Sequence, residues 1–469
     1  MSASTEVLAF GGIALTYGLL CLSAVEPREL FAQVFWRSAS ARPPILCVCV
    51  VAGWALVVEL AGRSRMRLSL VIGPASPLAP RVTFRGALAL LDAVLVCHLL
   101  PFVADLALAP SSPSRASQWS LGADLLAHLV VVVALFAPPS RANIGGTDGA
   151  TETLLSAERA EAHVKHSHPL ALQTAHSRDS LVVTLWESFL APFAPVTFWH
   201  VIVADYATSL AKALGDVHVT VCVASAHLSS SRAALGAAAN HAVWWEEARG
   251  PCASSMLNAS ALALPFWVRL FQCLAVYRQT GEVKNLWNAA KYATAFPLVY
   301  AGYLERAAPS PFSRQLFVAA AVVQSSATFG WDVVMDWGLP AKRAGGELFG
   351  TWTLSAMREP RSHVVGAGAA YAAYGALVAF NLVLRYIWAV AVFGGASTRG
   401  AGMFAFELAE IARRTVWALF RIEWEYISKG HSLAPPRSGE GDGDAPRSAE
   451  EGVDDADQPL LGKDGGDLQ

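Results

Sequence analysis

Apolar runs about twenty residues long, with few charges, follow one another along most of this chain. The first, VLAFGGIALTYGLLCLSAV at residues 7–25, has no charged side chain, and the run at residues 44–62 has one, Glu59. A helix of about 20 apolar residues is long enough to cross the hydrocarbon core of a bilayer. Charged residues make up 15% of the sequence, whereas soluble globular domains contain about 25%. The sequence therefore predicts an all-α polytopic membrane protein.

The same pattern predicts about ten transmembrane helices. The fifth is long and is interrupted by three charged residues, so we expect it to be kinked or tilted. In chain order, the ten predicted spans are residues 7–25, 44–62, 86–109, 121–139, 197–228, 254–277, 287–305, 314–338, 364–393 and 403–424.

These spans divide the chain into four predicted regions. Residues 1–139 hold four N-terminal transmembrane helices, and residues 140–185 form a polar loop. Residues 186–428 hold the last six spans. Residues 429–469 are acidic and rich in Gly, Ser and Pro. Such a tail cannot bury enough apolar surface to fold, so we expect it to be disordered.

Basic residues in the short loops predict the orientation of the chain. Residues 62–85 contain five arginines and no acid, and residues 339–363 contain four basic residues against two acids. Short loops rich in Lys and Arg face the cytosol. With ten spans both assignments agree, and they place the two termini and the loop at residues 140–185 in the cytosol.

Ionisable side chains inside the last six spans are the most informative residues of the sequence. A charge at the centre of a membrane helix costs about 2.5–3.5 kcal/mol, so it is expected to face the bundle interior or a wet cavity. Arg385 is the only formal charge between Val364 and Gly395, and Lys291 lies about one turn into the seventh span. Snorkelling of Lys291 to the membrane surface is the alternative for that residue.

Helical spacing relates several of these charges to one another. Asp332 and Asp336 are four residues apart, so both carboxylates are expected on one face near the end of the eighth span. Trp388 shares the face of Arg385, three residues earlier. The tenth span carries Glu407, Glu410, Arg413, Arg414 and Arg421, and Glu410 can reach Arg413 and Arg414. An interfacial amphipathic helix is the alternative for this span.

A cluster of basic side chains, partly neutralised by nearby carboxylates, is suited to moving an oxyanion across a membrane. Guanidinium groups match tetrahedral oxyanions with two parallel hydrogen bonds. Carboxylates such as Asp205 keep the empty site near neutrality and keep the anion weakly bound enough to leave. The residues therefore predict an anion-translocating bundle. The alternative is a packed bundle that is held by internal ion pairs and transports nothing.

Five separated blocks of sequence resemble the EXS domain, in the order in which that family carries them. The family includes eukaryotic phosphate exporters of the xenotropic-retrovirus-receptor type, plant phosphate exporters and shorter yeast-type Golgi proteins. The blocks are FWHVIVADYATSLAKALGD (198–216), PFWVRLFQCLAVYRQTGEVKNLWNAAKYATAFP (265–297), WDVVMDWGL (331–339), FNLVLRYIWAV (380–390) and ELAEIARRTVWALFRIEWEYI (407–427).

The resemblance implies a passage for inorganic phosphate through the last six spans, which would form the EXS bundle. It also implies a transporter rather than an enzyme, with no cofactor, no metal site and no nucleic-acid partner. Membrane lipid surrounds such a protein, and a homodimer is a further implication. The phosphate-contacting residues that it implies are Asp205, Lys291, Tyr292, Asp332, Asp336, Arg385, Trp388, Glu410, Arg413 and Arg414.

An endomembrane location is a further implication of the resemblance. The first span begins near Val7, which leaves no room for the cytosolic SPX domain of the large exporters. The chain therefore resembles the short Golgi branch, in which phosphate returns from the lumen to the cytosol. The alternatives are a plasma-membrane phosphate exporter and a sorting factor that retains Golgi glycosyltransferases. Residues Asp457–Leu461 fit a DxxLL pattern that cytosolic sorting adaptors bind, although a chance dileucine is favoured.

Two features of the non-cytosolic side leave alternatives open. Cys222 and Cys252 could pair across one loop, although two separate buried thiols are favoured. Asn258 begins an N-glycosylation sequon at the start of the sixth span, where closeness to the membrane disfavours its use.

Overall fold

The computed structural model describes residues 41–64, 66, 68–72, 87–96, 126–132, 196–229, 249–339, 370–394 and 401–429. Every regular element within these ranges is a helix, which confirms the all-α prediction. The first predicted span, the polar loop before residue 186 and the sorting motif in the tail lie outside them. Within the described residues, four helical stretches, counted across internal breaks, are long and apolar enough to cross a membrane: Arg42–Arg63, Arg249–Thr280, Pro311–Asp336 and Ala372–Phe393.

The helices are numbered in chain order. The N-terminal part contains α1 (Arg42–Arg63), α2 (Leu68–Ile72), α3 (Ala87–Val96) and α4 (126–132). The remainder contains α5 (Phe198–Ser209), α6 (Ala211–Ser229), α7 (Met256–Thr280), α8 (Lys284–Ala293), α9 (Ala295–Ala307), α10 (Pro311–Trp331), α11 (Ala370–Arg385), α12 (Trp388–Phe393) and α13 (Ala401–Ser428).

Three of the predicted spans are broken helices. The kink expected in the fifth span lies at Leu210, between α5 and α6. The seventh span was expected to be one helix, and this expectation is wrong: α8 and α9 have 10 and 13 residues and meet at Thr294. The Thr294 hydroxyl donates to the carbonyl of Lys291, and Pro297 has no N–H to donate back to Ala293. A third break, at residues 386–387, separates α11 from α12.

The end of α10 is a π-helical turn, Asp332–Asp336. Its signature is a hydrogen bond from the backbone N–H of Trp337 to the carbonyl of Asp332, five residues earlier. Wider turns of this kind are common at functional sites, because they re-aim side chains relative to an α-helix.

Aromatic side chains form the core between α1, α5 and α13. The Trp54 ring lies 5.2 Å from the ring of Trp199 and 6.2 Å from that of Tyr206, and Trp417 of α13 is buried in the same cluster. Gly53 allows the close approach, since a Cβ atom there would overlap the side chain of Thr415 on α13.

Cys222 and Cys252 form a disulfide that joins α6 to the segment before α7. The favoured expectation of two separate thiols is therefore wrong. The two cysteines are 30 residues apart in sequence, and spacing alone does not show that the loop between them returns to its starting point. Asn258 is buried, and its side-chain N–H donates to the carbonyl of Ala253 at 2.8 Å.

Candidate functional site

The ten residues implied as phosphate contacts come together in the structure. They lie on α5, on α8, on the π-helical turn, at the break between α11 and α12, and on α13. Seven are classed as buried, and Arg385, Trp388 and Glu410 are partly exposed. The helix breaks and the π-helical turn carry most of them, so irregular backbone occurs where the charges are concentrated.

One side of the site is organised around Asp205 of α5. Its Oδ1 accepts hydrogen bonds from Nε of Arg269 at 2.9 Å and from the hydroxyl of Tyr292 at 2.5 Å. The Arg269 guanidinium also lies over the Tyr292 ring, 4.7 Å from its centroid, and donates to Gln272. Since all three members are buried, the ion pair exists at low local dielectric, where loss of either partner is costly.

The opposite side is organised around Asp332. Its Oδ2 accepts from Nη2 of Arg385 at 2.6 Å and from Asn381 at 3.1 Å, and Nη1 of Arg413 lies 3.5 Å away. Arg413 also forms two parallel hydrogen bonds of 2.7 Å with Glu410. Both guanidinium groups are therefore committed to carboxylates.

Asp336 has a different set of partners from Asp332. Its Oδ2 accepts from the indole N–H of Trp417 at 3.0 Å, and its Oδ1 lies 3.5 Å from Nε of Arg421. Both carboxylates are buried, as the spacing predicted, but they form ion pairs with different arginines.

Arg414 is not paired with Glu410, which corrects the prediction from the i,i+4 spacing. It donates instead to the hydroxyls of Ser209 at 2.9 Å and Thr208 at 3.1 Å. Its guanidinium lies 4.5 Å from the ring centroid of Trp417. Within the described ranges, no carboxylate oxygen lies within 4.0 Å of Arg414.

Lys291 turns its ammonium group into the bundle, so the snorkelling alternative does not fit the structure. Nζ lies 4.0 Å from the ring centroid of Tyr292 and 5.2 Å from that of Trp331. The residue is 8% exposed, and among the described residues it has neither a hydrogen-bond partner nor an ion-pair partner. Asp336, Asp205 and Asp332 interact with its ammonium group electrostatically at longer range.

Trp388 is held at the break after α11 by a hydroxyl group of α10. Its indole N–H donates to the hydroxyl of Ser325 at 3.0 Å, and that hydroxyl donates to the carbonyl of Arg385. Trp388 therefore joins the broken helix to α10 and borders the charged cluster.

The cluster has more positive than negative formal charge. Asp336 lies 3.5 Å from Arg421, which also pairs with Glu425 at 2.8 Å, and the remainder of the cluster has five cations and three carboxylates. That remainder consists of the cations Arg269, Lys291, Arg385, Arg413 and Arg414 and the anions Asp205, Asp332 and Glu410. No group of three or more His, Cys, Asp or Glu side chains that could hold a metal ion occurs in the part of the chain that the structure describes.

Sequence reasoning missed Arg269 as a site residue. It is the only formal charge between Met256 and Tyr277, which is the same signal that identified Arg385. The missed partners Asn381, Ser209 and Thr208 are uncharged, and nothing in the local pattern separates them from other polar residues of membrane helices.

Comparison with known proteins extends these findings. The EXS family profile matches residues 39–427. Solute carrier family 53 member 1 of Homo sapiens is 30% identical over 266 residues, which cover 54% of this chain and 36% of that protein. The Xenotropic and polytropic retrovirus receptor 1 homolog of Xenopus laevis has the same identity and shares. The homolog of Danio rerio is 29% identical over 273 residues, 56% of this chain and 37% of that protein.

The chain spans little more than a third of the length of these curated relatives. The human relative is named as a solute carrier, which is a class of membrane transporter and not of enzyme. The profile match covers most of the chain and includes every residue of the site described above. The chain therefore belongs to the EXS family.

Proposed function

We propose that this chain moves inorganic phosphate across a membrane through the helices that carry the charged site. The observation on which this rests is the environment of Lys291. It is a buried cation without a hydrogen-bond or ion-pair partner among the described residues. An unpaired charge in a membrane interior is costly and marks an ion pathway, so an anion is the natural partner for this ammonium group.

Arg414 is a second cation whose charge is not paired with a carboxylate of the described residues and can therefore bind an anion. Its partners are hydroxyl groups, whereas Arg385 and Arg413 are held by carboxylates. Both Lys291 and Arg414 act electrostatically on Asp205 and on Asp332. The two cations therefore border the same region from different helices, as the coordination of one small anion requires.

The carboxylates favour phosphate over an oxyanion that has no proton. Oδ2 of Asp205 and Oδ1 of Asp332 accept no hydrogen bond from the described residues. Hydrogen phosphate has a P–O–H group that can donate to such an oxygen, whereas sulfate at neutral pH has none.

Phosphate flux from proteoliposomes tests this function. We expect the full chain in phosphatidylcholine vesicles to release radiolabelled phosphate and to retain sulfate. Lys291→Met should reduce the phosphate flux at least tenfold, with little change in the midpoint of thermal unfolding, because no hydrogen bond or ion pair is lost. The matched control is Lys284→Met, an exposed lysine at the start of the same helix that pairs with Glu282. Wild-type flux in the Lys291 variant would contradict the proposal and favour a bundle that only packs.

For the membrane and the direction, we propose transport from an endomembrane lumen to the cytosol. The resemblance to the Golgi branch supports the location, and the basic loops support cytosolic termini, whereas the DxxLL pattern of the tail motivates the alternative sorting function. A tagged full chain at the cell surface would favour plasma-membrane export instead. Truncation after Lys429 that mislocalises glycosyltransferases but leaves flux intact would favour the sorting function. A homodimer in lipid is part of the proposal and is measurable by mass photometry in nanodiscs.

A further inference from the structure

A cation-lined cavity lies apart from the site described above. Its volume is about 230 Å³, and none of the ten implied phosphate contacts lines it. It lies where the first turns of α1, α7 and α13 meet α6 and the last turn of α9. Its charged lining residues are Arg42, Lys212, Arg249, Arg306 and Asp216.

The inner wall of this cavity is a buried and incompletely bonded ion-pair network. Arg42 is 3% exposed and contacts Asp216 at 3.0 Å and Glu407 at 3.6 Å. Nε of Arg42 and both carboxylate oxygens of Glu407 nevertheless have no hydrogen-bond partner among the described residues. The same holds for Oδ1 of Asn258, a lining residue that is 6% exposed. Buried polar groups are normally hydrogen-bonded, so these atoms indicate a wet or ligand-bearing space.

The outer wall supplies positive charge with little internal compensation. Arg306 is exposed at the end of α9 and makes no hydrogen bond or ion pair with any described residue. Lys212 pairs with Asp216 at 2.8 Å, and its side chain is 42% exposed. Arg42, Lys212 and Arg306 thus bring positive charge to the cavity, and Asp216 is the carboxylate that lines it, with Glu407 behind Arg42.

The size of the cavity indicates a hydrated ligand. At about 30 Å³ per water molecule, its volume corresponds to roughly seven or eight waters. A small oxyanion therefore fits together with part of its hydration shell, and the long flexible side chains of Arg306 and Lys212 can reach it from the open side. Weak, hydrated binding is what the mouth of an ion pathway requires.

The disulfide shows which end of the bundle this is. Val219 and Ala253 line the cavity, and Cys222 and Cys252 are their neighbours in the disulfide-linked wall. Disulfides form in oxidising compartments and not in the cytosol. The basic loops of the sequence independently put the same helix ends on the non-cytosolic side.

We infer that this cavity is a second binding site for a phosphate group, either a free anion or a lipid headgroup, at the non-cytosolic end. With a free anion the site deepens the proposed function and depends on it for its role, since a cationic mouth raises the local anion concentration before entry. Its existence as a binding site does not depend on transport.

Equilibrium binding of radiolabelled phosphate to the full chain in phosphatidylcholine nanodiscs tests the inference. We expect two classes of site in the wild type. Arg306→Gln should weaken one class about fivefold and leave the other unchanged, as expected for loss of one partly exposed charge contact. Lys291→Met should affect only the other class. Arg249→Gln removes a different cation that lines the cavity and should weaken the same class of site. Lys284→Gln, at the opposite end of the bundle, is the matched control.

Three outcomes separate this inference from the proposed function. A single class of site that Lys291→Met removes and that the Arg306 and Arg249 variants leave unchanged would overturn the cavity site alone. Binding that depends on Arg306 without any wild-type flux would support the cavity site and reject transport. Loss of the Arg306-dependent class in nanodiscs that contain phosphatidic acid would support the site and assign its phosphate group to lipid.

Discussion

The hydroxyl of Tyr292 on α8 donates a hydrogen bond to Oδ1 of Asp205 on α5, the same oxygen that accepts from Arg269 on α7. This contact joins three helices through one carboxylate oxygen. It also commits the Tyr292 hydroxyl to Asp205, so in this arrangement Tyr292 positions the acid and does not itself offer its proton to an anion. Lys291, the next residue along the chain, remains available over the Tyr292 ring.

Tyr292→Phe should therefore lower phosphate flux without abolishing it. Asp205 loses one donor and keeps Arg269, and a hydrogen bond to a charged group contributes about 1.5–3 kcal/mol to stability. We expect a lower midpoint of thermal unfolding in detergent and a flux reduced severalfold. Tyr300→Phe is the control, since Tyr300 lies on α9 and is 51% exposed. A loss of flux as complete as in Lys291→Met would show that the hydroxyl contacts the anion directly.

Arg269→Met should be among the most destabilising single changes in the site. It leaves Asp205 buried with only the hydroxyl of Tyr292, and loss of one partner of a buried ion pair costs about 3–5 kcal/mol. Asp205→Asn in the same chain should recover much of this loss, because the uncompensated charge is removed. Flux should not recover, since the carboxylate proposed to accept from phosphate is gone. Additive destabilisation in the double variant would contradict this pairing.

Gly53→Ala should destabilise the contact between α1 and α13. The added Cβ would overlap Oγ1 of Thr415, and overpacking of this kind costs about 1–3 kcal/mol. Thr415→Ala in the same chain should restore the thermal midpoint, because it removes the overlapping atom. Gly62→Ala on the same helix is the matched control, since nothing lies within 4 Å of a Cβ atom there. Equal changes in the thermal midpoint of the Gly53→Ala and Gly62→Ala variants would mean that the effect comes from helix propensity and not from packing against Thr415.

Removal of the disulfide should lower the free energy of unfolding by about 3–4 kcal/mol, the loop-closure value for cysteines 30 residues apart. The measurement is thermal unfolding of the Cys222→Ala, Cys252→Ala double variant, with and without a reductant. Wild type with reductant should match the double variant without it. Cys273→Ala is the control, because Cys273 is a free buried thiol. The thermal midpoint of this variant should still fall when the reductant is added, as in the wild type. Insensitivity of the wild type to reductant would contradict a bridge in the folded protein.

The membrane location and most of the site could be predicted from the sequence because each depends on local pattern. An apolar run of about twenty residues needs a membrane or a deep core, and a lone charge in it, such as Arg385, needs a polar partner. The same logic would have found Arg269. The family blocks then implied the remaining members of the candidate site, including Tyr292, and also included Trp388, which the spacing from Arg385 had already singled out.

Which carboxylate of the site pairs with which cation, by contrast, was decided only by the tertiary structure. Glu410 is three residues from Arg413 and four from Arg414, and both spacings allow an ion pair on a helix, yet Arg413 binds the carboxylate and Arg414 donates to the hydroxyls of α5. Asp332 meets Arg413 across a separation of 81 residues. The π-helical turn and the break at Thr294 then set where the side chains of Asp336 and Lys291 point. Hydropathy and spacing along one helix carry no information about which other helix packs against it, and that packing determines which cation is left for an anion.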